Sequence, residues 1–99
     1  MDTITLFTIL FYSGIPAKDA GKLVCIAKAE SNLNPKAINH AKNRNKTKDY
    51  GLFQINQIWL KECGMSPKHL LDAHSNIGCA IYVYNKRGLK SWSTLKECQ

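Results

Sequence analysis

The chain has no Cys-x-x-Cys pair, no internal repeat, no low-complexity tract and no apolar run long enough to cross a bilayer. The first absence argues against a zinc knuckle or a thioredoxin-type redox site. A mixed Cys/His site would need His40, His69 or His74 to converge with the cysteines, and no spacing suggests it. No metal and no cofactor is therefore expected. Residues 4–12 form an apolar stretch that suggests the core of a signal peptide, but Asp2 replaces the usual positive start and no clean small-residue cleavage site follows. The stretch reads better as an amphipathic first helix of a mature chain carrying an added Met1.

Acidic side chains are also scarce. Seven Asp plus Glu stand against 14 Lys plus Arg, for a net charge of +7 and a pI near 9.4. That balance favours anionic partners: nucleic acid, a membrane surface or a bacterial wall polymer. No recognised nucleic-acid motif supports the first. With so few carboxylates, each can be asked what it does.

What is present fits a small globular protein. Its 99 residues allow one domain, residues 1–99, and a hydrophobic fraction of 44% argues against disorder. An even set of cysteines, Cys25, Cys63, Cys79 and Cys98, predicts two disulfides and an oxidising, extracellular compartment. Spacing leaves all three connectivities open. The pattern predicts helices over about 3–12 and 17–31, the latter ended by Asn34-Pro35. A polar hairpin follows, with its turn near residues 43–46 and a continuing strand over 50–55. Helix signals resume after Ser66-Pro67, and again after Asn76 as a cap for residues 77–86. The last helical turns, at 91–97, carry Trp92. The expected class is α+β, mostly helical with one small antiparallel sheet.

Glu30 is the first candidate for chemistry. Leu23, Ile26, Ala27 and Glu30 recur at the spacing of one helix face, so Glu30 extends an apolar stripe into the last turn. Poor solvation and the negative helix end both favour its protonated form. A carboxylic acid that stays protonated near neutral pH suits general acid catalysis. Asp49 is the second candidate. Its neighbours are polar, and Lys42, Arg44, Lys46 and Lys48 lie close in sequence, so it is expected to stay ionised. Taken singly, each is read more plainly as a surface or turn carboxylate. Together they form a pair split by environment. Asp2 and Asp19 read as caps, and Glu62, Asp72 and Glu97 as surface residues.

The run Val24-Cys25-Ile26-Ala27-Lys28-Ala29-Glu30-Ser31-Asn32 resembles the catalytic helix of C-type lysozymes. Asp49-Tyr50-Gly51-Leu52-Phe53-Gln54-Ile55-Asn56 is similar to the strand that carries their second carboxylate. The segment 76–79, then Trp92 and Cys98, resemble their later helix, active-site tryptophan and closing cysteine. The resemblance is strong over residues 20–60 and weaker over 76–98, and it implies a lysozyme-like fold.

It also implies hydrolysis of the β-1,4 bond between N-acetylmuramic acid and N-acetylglucosamine in bacterial peptidoglycan, the expected partner of a monomer. Glu30 would be general acid, then base. Asp49 would be nucleophile or electrostatic stabiliser. Two carboxylates split by environment are the lysozymes' own pattern, so these roles follow from the resemblance. The resemblance pairs Cys25 with Cys98 and Cys63 with Cys79. Tyr50, Gln54, Asn56, Trp59 and Trp92 are the candidate substrate-binding residues, planar rings and amides suited to sugars. Trp92 reads equally as core, Trp59 as a surface stacking platform flanked by Gln57 and Lys61. Gln54 and Asn56 could equally hold the hairpin backbone.

The chain is shorter than animal C-type lysozymes, with fewer cysteines. Its Gly51 to Asn56 run with Glu30-Ser31 also resembles lytic transglycosylases, which cut the same bond with one essential Glu and leave an anhydro-sugar. Their Tyr-Asn-Ala-Gly motif is missing after the late helix, where Tyr84-Asn85 continues as Lys86-Arg87. A rival from another class is a non-catalytic cationic wall binder, motivated by the basic cluster at residues 42–48.

Overall fold

In a computed structural model, the structure describes residues 1–40 and 47–99. The expected hairpin turn at 43–46, with Lys42, Arg44 and Lys46, lies outside the described residues. Helix α1 (Thr3–Tyr12) is capped by Asp2, whose carboxylate accepts from the Thr5 amide at 2.8 Å. It buries Leu6 and Leu10. Helix α2 (Ala17–Ser31) buries Ala20 together with Leu23, Ile26 and Ala27 of the stripe read from the sequence. It ends at Asn32, left-handed at φ 54°, a conformation Asn tolerates better than most residues.

Three short strands follow: β1 (Ile38–His40), β2 (Lys48–Tyr50) and β3 (Ile55–Asn56). They form an antiparallel sheet in chain order, with Asn39 opposite Asp49 and Asp49 opposite Asn56. The continuous strand expected over 50–55 is interrupted. Gly51 at φ 76° and Gln54 at φ 49° reverse the chain, and the Gln54 amide donates to the Gly51 carbonyl at 3.0 Å. This turn drives Leu52 and Phe53 into the core, where both are fully buried. Burying side chains of this size stabilises by roughly 1.5–3 kcal/mol each.

A 3-10 turn (Gln57–Trp59) leads into α3 (Leu60–Cys63), then α4 (Pro67–Leu70) and α5 (Ala73–Arg87). Two further 3-10 turns, Leu89–Ser91 and Ser93–Glu97, flank Trp92 and bring the chain back against α2.

The cap of α5 departs from the sequence reading. Asp72, exposed as expected of a surface residue, is the N-cap in place of Asn76 and accepts from the Ser75 amide. Asn76 lies inside the helix, fully buried. Its side-chain oxygen accepts from the Phe53 amide at 2.9 Å, and its amide donates to the Tyr50 and Leu70 carbonyls, both at 2.8 Å. A turn forced into the core leaves backbone groups that need partners, and Asn76 supplies both donor and acceptor. Asp19, expected as a cap, instead accepts from the Tyr84 hydroxyl and links α2 to α5. Among the described residues, no buried side-chain nitrogen or oxygen lacks a partner.

The cysteines join Cys25 to Cys98 and Cys63 to Cys79, closing loops of 73 and 16 residues. Chain-entropy arguments assign them roughly 4 and 3 kcal/mol. The longer loop ties α2 to the C-terminal turns.

Candidate active site

The last turn of α2, the sheet and the turns around Trp92 converge on a cavity of about 170 Å³. Glu30 and Asp49 both line it. Glu30 arrives there because it is seven residues beyond Leu23, two helical turns along the buried face. Asp49 arrives because side chains alternate along a strand. The same alternation turns its neighbour Tyr50 away. Tyr50 is buried and does not line this cavity.

The Glu30 carboxyl is pushed above the ordinary glutamate range, first by desolvation. The nearby Asp49 and Glu97 carboxylates push the same way. The Thr94 hydroxyl, donating to Glu30 Oε2 at 2.9 Å, opposes them by favouring the ionised form. Asp49 differs from its expected setting. It is half-buried beside Asn56 on the adjacent strand, and desolvation raises its pKa too. The Asn56 amide donates to Asp49 Oδ1 at 2.9 Å and partly offsets that rise. Of the four cations expected to hold it ionised, only Lys48 is among the described residues, and it is not a cause of the shift. The environments therefore differ in degree, both shifted upward by loss of water.

Four of the five expected binding residues line the cavity: Gln54, Asn56, Trp59 and Trp92. Their amides are largely committed. Gln54 donates to the Ala37 and Gly51 carbonyls and accepts from Asn39. Asn56 accepts from the Ile58 amide and donates to Thr47 and Asp49. Gln54 ties the turn to the β1 side of the sheet, and Asn56 holds the Asp49 side chain.

Trp59 is only 9% exposed, not a surface platform. Tyr82 packs edge-on against its ring at 6.3 Å, and the Arg87 guanidinium lies 5.4 Å from its centre. Trp92 is both wall and core. It donates from Nε1 to the Phe53 carbonyl at 2.9 Å, tilts against the Phe53 ring, and still lines the cavity.

The residues missed from sequence are mostly small. Ser31 donates to the Leu52 carbonyl at 2.7 Å and fixes the turn to the end of α2. Ser91 and Ser93 line the cavity beside Trp92, and Thr94 touches Glu30. Only their nearness to Trp92 could have flagged them. Among the described residues no cluster of His, Cys, Asp or Glu could hold a metal ion. The arrangement can place a carboxyl shifted toward its protonated form and a second carboxyl on one small polar cavity with aromatic walls.

Residues 12–99 match the C-type lysozyme/alpha-lactalbumin family. Lysozyme P of Drosophila melanogaster is 34% identical over 110 aligned positions, spanning 99% of this chain and 77% of that protein. The milk isozyme of lysozyme C from Equus caballus is 36% identical, spanning 77% of this chain and 68% of that one. Among solved structures, lysozyme from Equus asinus superposes with a TM-score of 0.81 at 28% identity, covering 98% of this chain and 86% of that one. With that match across most of its length, the chain belongs to the C-type lysozyme/alpha-lactalbumin family and is an enzyme of the lysozyme kind, a glycosidase.

Proposed function

We propose that the enzyme hydrolyses the β-1,4 bond between N-acetylmuramic acid and N-acetylglucosamine in bacterial peptidoglycan. The observation that carries this reading is that Glu30 and Asp49 line one cavity, with Glu30 held toward its protonated form. Glu30 protonates the glycosidic oxygen as the bond breaks, and then takes a proton from the incoming water. Asp49 meets the positive charge that develops at the sugar carbon, as nucleophile or as electrostatic partner. Asn56 keeps its carboxylate aimed. Trp59 and Trp92 offer apolar surface to sugar rings.

Two disulfides favour an oxidising compartment, and no helix among the described residues is long and apolar enough to cross a membrane. We place the enzyme outside the cell, where its substrate is. The test is the chemistry of the new chain end. A reducing end supports hydrolysis, and an anhydro end replaces this reading with a lytic transglycosylase.

A further inference from the structure

Arg87 is a cleft-side cation that the proposed mechanism leaves unused. It closes α5 four residues after Val83, which lines the cavity, and positions four apart share a helix face. Its guanidinium also lies 5.4 Å from the ring centre of Trp59, another lining residue. Along α5 and across to the turn after β3, this charge thus stands next to two residues that line the cavity, Val83 and Trp59. The adjacent Lys86 is committed to Glu62 at 3.1 Å. Arg87 is exposed, and among the described residues it makes no ion pair, although its charge helps hold the Glu62 carboxyl below the ordinary glutamate range. A guanidinium held over an aromatic face can still offer N–H groups to a ligand. Such a fork fits a carboxylate through two charge-assisted hydrogen bonds.

We propose that Arg87 is a specificity-determining residue that reads a carboxylate on the glycan, so that acidic β-1,4-linked amino-sugar chains are preferred over neutral ones. The inference rests on the hydrolase reading above and sharpens its substrate class. The carboxylate has two sources in a wall polymer: the lactyl ether of muramic acid, or the peptide attached to it. On a neutral chain the fork finds no charged partner, and its partial desolvation goes uncompensated.

Wild type, Arg87→Gln and Arg87→Lys are compared on three substrates. These are neutral N-acetylglucosamine oligomers, peptide-free alternating oligomers with free lactyl groups, and peptide-bearing fragments. In Arg87→Gln, KM for a carboxylate-bearing substrate rises about tenfold with kcat nearly unchanged, while neutral oligomers stay within about twofold. Arg87→Lys recovers part of the loss, because charge returns without the fork. A loss on the peptide-free oligomers assigns the lactyl carboxylate, and one confined to peptide-bearing fragments assigns the peptide. Equal losses on neutral and acidic chains overturn the inference, because Arg87 then acts only by supporting Trp59. No loss on any substrate overturns it as well. A wild type that cleaves none of the three overturns the hydrolase reading, and this inference with it.

Discussion

Glu30 carries opposing influences on one carboxyl, and each can be changed separately. Desolvation raises its pKa, whereas the Thr94 hydroxyl lowers it. Thr94→Val removes the lowering contact at nearly constant shape. The alkaline limb of kcat/KM, set by loss of the Glu30 proton, should then move to higher pH. A limb that stays put or moves down would show that Thr94 does not act on Glu30. The same shift predicts stability. Because the folded-state pKa is raised, the folded protein holds this proton more tightly than the unfolded chain. The stabilisation is full below the ordinary glutamate range and is lost as pH rises through the folded value. Glu30→Gln should therefore gain melting temperature relative to wild type as pH goes from acidic to neutral. A difference that is flat with pH would remove desolvation as the cause. Asp49 shows the limit of local reading. Its basic neighbours in sequence suggest an ionised turn residue, but strand pairing sets it opposite Asn56 and takes it partly out of water.

At the scale of elements, helix α2 is legible in the sequence and the turn beside it is not. The spacing of Leu23, Ile26, Ala27 and Glu30 is a local signal with one simple solution. Asn76 shows the opposite case. An Asn ahead of an apolar run is an ordinary cap signal, and its actual partner, Phe53, is 23 residues away. Trp59 is covered for a similar reason, since Tyr82 and Arg87 reach it from α5, far along the sequence. The turn over residues 51–54 is held by three side chains from separate parts of the chain: Ser31, Asn76 and Trp92. Asn76→Leu would strand the buried Phe53 amide and the Tyr50 and Leu70 carbonyls. It should cost about 3 kcal/mol or more by denaturant unfolding, at about 1–3 kcal/mol per orphaned group. A cost below about 1 kcal/mol would show that the turn holds itself. Gly51→Ala should be as severe. Its Cβ would fall 2.1 Å from the Leu70 carbonyl oxygen and 2.4 Å from the Asn76 amide nitrogen, at a φ of 76°.

Across the whole molecule, covalent links and charge act at long range. Removing the Cys25–Cys98 bridge by a double Cys→Ala change should cost about 4 kcal/mol, read as a lower denaturant midpoint. The net charge of +7 should draw the enzyme to an anionic wall. Wall clearing should weaken as added salt shortens the screening length below about 8–10 Å, and salt-independent clearing would remove charge from the account. The rival reading, a cationic binder without catalysis, shares that salt dependence, so only chemistry separates them. The most direct measurement is mass spectrometry of peptidoglycan incubated with wild type, Glu30→Gln and Asp49→Asn. The account predicts reducing-end fragments from wild type, about a thousandfold less product with Glu30→Gln, and a large loss with Asp49→Asn. Undiminished cleavage by Glu30→Gln would contradict it, and so would full activity of Asp49→Asn with anhydro ends.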